Sequence, residues 1–111
     1  MTAETDPVLV YVTTSSVEEA KRLGTAAVEA RLAAAANVIG GMMSIHRWAG
    51  GMTESLEAGL MLKTVRGRVA ALTADLRSRH SYDLPAIVVL PIEGGHQEYL
   101  DWIAAETRDR A

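Results

Sequence analysis

The sequence contains no cysteine and no phenylalanine. The absence of cysteine excludes disulfides, thiolate zinc sites, iron–sulfur clusters and thiol nucleophiles. Basic residues are also in short supply: 11 Lys and Arg stand against 14 Asp and Glu, for a formal charge of −3. A nucleic-acid binder normally carries a basic face, so this balance argues against one. Long hydrophobic runs are missing too. The longest weakly polar stretch, Leu32 to Met43, contains Asn37 and two glycines. It is too short to cross about 30 Å of hydrocarbon, so no membrane span is expected. The start, Met1 to Pro7, is acidic and polar rather than basic and then apolar. That predicts a cytoplasmic protein without a signal peptide. Finally, no catalytic signature stands in the chain: no G-x-S-x-G, no P-loop and no dinucleotide G-x-G-x-x-G. The paired glycines make turns rather than phosphate cradles, and no enzyme activity is expected.

What is present suits one compact domain. The chain has 111 residues, 49% hydrophobic and 23% charged, an ordinary globular balance. The domain is expected to fill residues 1–111, with 1–7 and 108–111 as flexible tails. Residues 8–14, Val-Leu-Val-Tyr-Val-Thr-Thr, read as a buried strand. Two overlapping capping boxes follow, Ser15 with Glu18 and Ser16 with Glu19. They predict a helix from Val17 to about Ala34, with a small-residue stripe that lets it lie close on a sheet. Asn37 to Trp48 reads as a long strand bent at Gly40-Gly41. Gly50-Gly51 marks a tight reversal. Residues 52–63 alternate, with Leu56, Ala58, Leu60 and Leu62 on one face and Ser55, Glu57, Met61 and Lys63 on the other. Thr64 is placed to cap a second helix from about Val65 to Arg79. Residues 86–90 form a short apolar strand, and a last amphipathic helix follows Gly94-Gly95.

The order βαββαβ plus a helix predicts an α+β, ferredoxin-like sandwich with a long central hairpin and an extra C-terminal helix. Both crossover helices then lie on one sheet face. The other face is bare in a monomer, which predicts self-association.

Few residues carry chemistry on their own. His46, His80 and His96 are not paired at H-x-H or H-x-x-H spacing, so each is either a structural histidine or a transition-metal ligand. Met42 and Met43 are adjacent and point to opposite faces, which suits packing rather than a thioether site. Glu57 and Lys63 share a strand face but lie about 20 Å apart at roughly 3.4 Å per residue, so each needs another partner. Trp48, at a hairpin tip, is the kind of aromatic that anchors interfaces.

Five segments together resemble one family, CutA. They are Leu32-Ala33-Ala34-Ala35-Ala36-Asn37-Val38-Ile39, Ser44-Ile45-His46-Arg47-Trp48, Glu57 with Leu60-Met61-Leu62-Lys63-Thr64, His80-Ser81-Tyr82-Asp83-Leu84-Pro85, and Tyr99-Leu100-Asp101-Trp102. They run in register across about residues 8–104. The resemblance implies a divalent-cation tolerance protein, a homotrimer of ferredoxin-like subunits related in architecture to PII signalling proteins. It also implies hairpins that pack across subunits, with Trp48 and Trp102 at the interface. Some members bind copper. Polar positions gather in a cleft between subunits, here Glu57, Lys63, His80, Tyr82 and Tyr99.

The sequence departs from the family at Ala35, where a cysteine is usual, at His46 for a tyrosine, and at Ser81 for a proline. Losing the thiolate shifts any metal site onto His80, Glu57 and His46, an imidazole–carboxylate set that suits Cu(II). The first expectation is thus a response to metal ions, with Cu(II) as the bound ion. The alternative is a PII-like module that binds a small anionic metabolite, with Lys63 and Arg47 as charge partners beside Tyr82 and Tyr99.

Overall fold

A computed structural model describes residues 3–108. Strand β1, Pro7–Thr14, buries Val8, Val10, Val12 and Thr14 and leaves the intervening side chains half-buried on its other face. Helix α1, Val17–Glu29, starts at Ser16, whose hydroxyl accepts from the Glu19 amide at 3.1 Å. Of the two expected capping boxes, only the one built on Ser16 has its forward bond. Glu18 is exposed, and the Glu19 carboxylate turns to Ser15 rather than Ser16.

Helix α1 ends well before the expected limit near Ala34. The Leu32 amide bonds back to the Ala27 carbonyl at 2.9 Å, and the Arg31 amide to the Val28 carbonyl at 3.1 Å. This is a Schellman stop, with Arg31 at φ 59° where glycine is usual. It turns Leu32 and Ala33 into the core.

Strands β2, Ala35–Trp48, and β3, Gly51–Val65, form the long hairpin. Between Ile39 and Met42 the register slips, so that three steps along β2 match two along β3, from Gly59 to Glu57. Gly41, at φ 69°, supplies the left-handed residue of this bulge. The bulge has a large consequence. It moves Met42, Ser44, His46 and Trp48 onto the same face as Ser55 and Glu57. At the tip Trp48 pairs with Gly51, and the loop residues are Ala49 at φ 51° and Gly50 at φ 83°. The turn is of type I′, and Ala49, not Gly51, carries its second positive φ.

Thr64 does not cap a helix. It stays in β3 opposite Val8, and its hydroxyl donates to the Leu32 carbonyl at 2.7 Å. Pairing of Val65 with Pro7 carries the strand one residue further. A 3-10 turn, Arg66–Arg68, then leads into helix α2, Val69–Arg79. Strand β4, Ile87–Pro91, and helix α3, Gln97–Glu106, complete the chain.

The sheet is fully antiparallel in the order β2-β3-β1-β4, as the split β-α-β arrangement requires. Helices α1 and α2 cover one face. There Val8, Val10, Val12, Leu23, Leu60, Leu62, Leu72 and Leu76 form the main core. Helix α3 lies at one end of the opposite face, where Ile103 closes over Val65 and Ala34. The rest of that face stays open, with Ile39, Val88 and Leu90 exposed. The hairpin also outruns the helices. Met43, Ile45, Met52 and Leu56 point to the helix side and are 56–71% exposed, so the side expected to be packed is packed only from Ala58 onward.

Part of the expected N-terminal tail is tied down: the Asp6 and Glu4 carbonyls accept from the Arg66 and Gly67 amides at 2.9 and 2.8 Å. The expected tail positions 1–2 and 109–111 lie outside the described residues. Among the described residues, no helix is long and apolar enough to cross a membrane.

The left-handed Ala49 generates a prediction. A non-glycine residue there carries a cost of about 1 kcal/mol, so Ala49→Gly should raise the urea midpoint of unfolding. A midpoint that stays put or falls would show that the turn is not strained.

Candidate functional site

The open face and the loop after α2 enclose a cavity of about 670 Å³. Thr13 comes from β1, Ser44, His46 and Trp48 from β2, and Thr53, Ser55 and Glu57 from β3. Residues 81–84 and Ala86 close one side. The bulge in β2 is what brings its even-numbered residues to this wall. Glu57 and Asp83 are its carboxylates and His46 its imidazole, and among the described residues no Lys or Arg lines it. The cavity is therefore suited to a cation rather than an anion.

The loop reaches Glu57 through successive contacts. Helix α2 ends at His80 in an extended conformation, φ −70° and ψ 141°. The His80 Nε2 lies 2.8 Å from the Thr13 carbonyl, and its Nδ1 accepts from the Tyr82 amide at 3.0 Å. These partners assign the Nε2–H tautomer. The Tyr82 hydroxyl then donates to Glu57 Oε2 at 2.6 Å. Burial, the hydrogen bond to Glu57 and the charges of Glu57 and Glu19 push the Tyr82 phenol up to about 12. It stays a donor to Oε2 of Glu57, a residue that lines the cavity.

Behind the loop sits a second carboxylate. Glu19 is 3% exposed and accepts from the Ser15 amide and hydroxyl at 2.8 and 2.9 Å and from the Ser81 amide at 2.8 Å. Arg22 lies 3.6 Å away. Burial alone pushes the carboxyl up, but the hydrogen bonds from Ser15 and Ser81 outweigh it and hold it down at about 2.

The expected site residues fall into separate groups. Glu57, His80 and Tyr82 come together. His80, expected as a metal ligand, has both ring nitrogens engaged and offers no lone pair to an ion in this conformation. His46 lines the same cavity, four residues along β2 from Met42, the partner of Glu57, or about 13 Å. Among the described residues, no three His, Asp or Glu side chains converge as a metal site requires. Lys63 lies at the far end of β3, with its ammonium 5.3 Å from the centre of the Tyr99 ring. Tyr99 stacks on Trp102 at 5.5 Å. Arg47, one residue out of step with His46, points to the opposite face and does not line the cavity. Trp48 and Trp102, expected at an interface, are 59% and 42% exposed in the single chain.

Two groups escaped the sequence reading. Glu19 was visible only as a local capping residue, with nothing to link it to Ser81 across the chain. Asp83 belonged to a matched segment but carried no pattern of its own.

The family model for the CutA1 divalent ion tolerance protein matches residues 8–106. The chain belongs to the CutA1 family. It is 40% identical to the divalent-cation tolerance protein CutA of Thermus thermophilus over 99 residues, covering 89% of this chain and 96% of that one. It is 37% identical to the chloroplastic CutA 1 of Oryza sativa over 102 residues, covering 92% of this chain. It spans only 58% of that rice protein and 56% of the chloroplastic CutA of Arabidopsis thaliana. Solved CutA1 structures share the fold. That of Oryza sativa matches with a TM-score of 0.90 at 35% identity, covering 96% of this chain and 99% of the other. That of Thermus thermophilus matches with 0.89 at 39% identity, covering 92% and 99%.

The depressed carboxyl of Glu19 makes the stability of this chain depend on pH. Its folded value of about 2 lies below the ordinary 4.5. The stabilisation is therefore complete above about 4.5 and is lost as pH falls toward 2, on the order of 3 kcal/mol in all. Urea unfolding of Glu19→Gln should be weaker than wild type at pH 7, with the gap closing toward pH 2. A gap independent of pH would contradict this role.

Proposed function

We propose that this chain acts in divalent-cation tolerance as a homotrimer, holding a cation such as Cu(II) in a cleft between subunits. Membership of the CutA1 family supports the role. The observation that carries the site is the lining of the cavity, where Glu57 and Asp83 stand with His46 and, among the described residues, without any Lys or Arg. The carboxylate of Glu57 and the imidazole of His46 are the donors, a set that suits Cu(II). They lie too far apart in one chain to share an ion, so the proposal draws His46 from a neighbouring copy. His80 and Tyr82 act by orienting Glu57. No catalytic step is assigned, and a cytoplasmic location is part of the proposal.

Calorimetric titration with Cu(II) tests this reading. One ion per chain is expected, with affinity reduced roughly tenfold or more in Glu57→Gln and in His46→Ala. Absence of saturable heat, or full affinity in both variants, would overturn the site. The PII-like alternative draws on Lys63 and Arg47. It predicts thermal stabilisation by a small anionic metabolite and none by metal.

A further inference from the structure

Three consecutive residues after α2 are each held by a different element. His80 is held by the Thr13 carbonyl of β1, Ser81 by the Glu19 carboxylate of α1, and Tyr82 by Glu57 of β3. Three anchors fix a turn in space, whereas two leave it free to rotate about the line that joins them. The middle anchor is the unusual one. Glu19 lies 62 residues away in sequence and is almost fully buried. A buried carboxylate is costly unless its oxygens are hydrogen-bonded. Local capping does not use the whole group. The Ser16 hydroxyl already serves the Glu19 amide, and Oε1 alone serves Ser15. Oε2 accepts from the Ser81 amide at 2.8 Å, with the exposed Arg22 guanidinium farther off, 3.6 Å from the same oxygen.

Ser81 sharpens the point. A proline in its place would fix φ but would have no N–H to donate. Serine leaves φ free and supplies a donor. We propose that Glu19 is a positioning residue for the site: its bond to the Ser81 amide fixes the 80–82 turn so that the Tyr82 hydroxyl meets Glu57. The hydrogen bond between the Tyr82 amide and His80 Nδ1 depends on the same arrangement.

The test uses the ligand-free protein, so its failure and failure of the cation reading are distinguishable. In wild type, the ¹⁵N shifts of the His80 ring should report a single Nε2–H tautomer, and the Tyr82 amide should be protected from exchange. Ser81→Ala keeps the backbone N–H and should preserve both. Glu19→Gln should average the His80 tautomers and speed Tyr82 amide exchange roughly tenfold, with other shifts confined to Ser15 and the start of α1. A folded Glu19→Gln with wild-type His80 shifts and Tyr82 protection would overturn the proposal. If Glu19→Gln does not fold, Glu19→Asp, one methylene short of Ser81, takes its place and must show the same two changes.

Discussion

Helices α1 and α2 pack on the same face of the four-stranded sheet, and this one-sided cover is the constraint on which the rest depends. It follows from the chain order, since both crossovers of a split β-α-β unit return over one face. Helix α3 relieves the other face only at the Val65 end. Ile39, Val88 and Leu90 are left in water there, and Met43, Ile45, Met52 and Leu56 on the overhanging hairpin. Clustered exposed apolar side chains of this kind mark an association site. The oligomer we propose is the physical answer to that exposure, and the cleft follows from the same geometry.

The β2 bulge decides what the open face presents. With a regular register in place of the bulge, Ser44, His46 and Trp48 would point to the helix side, Ile45 would stand opposite Thr53 and Arg47 opposite Gly51. The open face would then lose its imidazole and carry a guanidinium at the hairpin tip. The slip at Gly40-Gly41 thus sets the charge of the cavity as well as the bend of the strand. On the other side of the cavity, the 80–82 turn delivers Tyr82 to Glu57, and Glu19 holds that turn from behind.

Much of the fold was legible in the sequence because its signals are local and periodic. Alternation in β1 and β3, the paired glycines of β2 and the capping serines of α1 each follow from a few neighbouring residues. The misreadings lay where tertiary demands prevailed. Helix α1 stops at Glu29 because the core takes Leu32 and Ala33, with Arg31 accepting a left-handed backbone where a glycine would have announced it. Thr64 reads as a cap but stays in the strand, because Pro7 and Val8 continue to pair beyond it. The candidate site was legible only in part. Glu57 and Tyr82 stood out through the family resemblance, and they meet. Lys63 and Arg47 came with them in the reading, but strand length and side-chain alternation carry both away from the cavity. Glu19 was hidden because its decisive partner lies 62 residues away.

The account stands most directly on the mass of the protein in solution, because the open face and the cleft both require neighbouring copies. Sedimentation equilibrium at micromolar concentration should give three times the chain mass of 11.9 kDa. A single-chain mass under those conditions would contradict it, since the open sheet face would then be exposed to water with nothing to cover it.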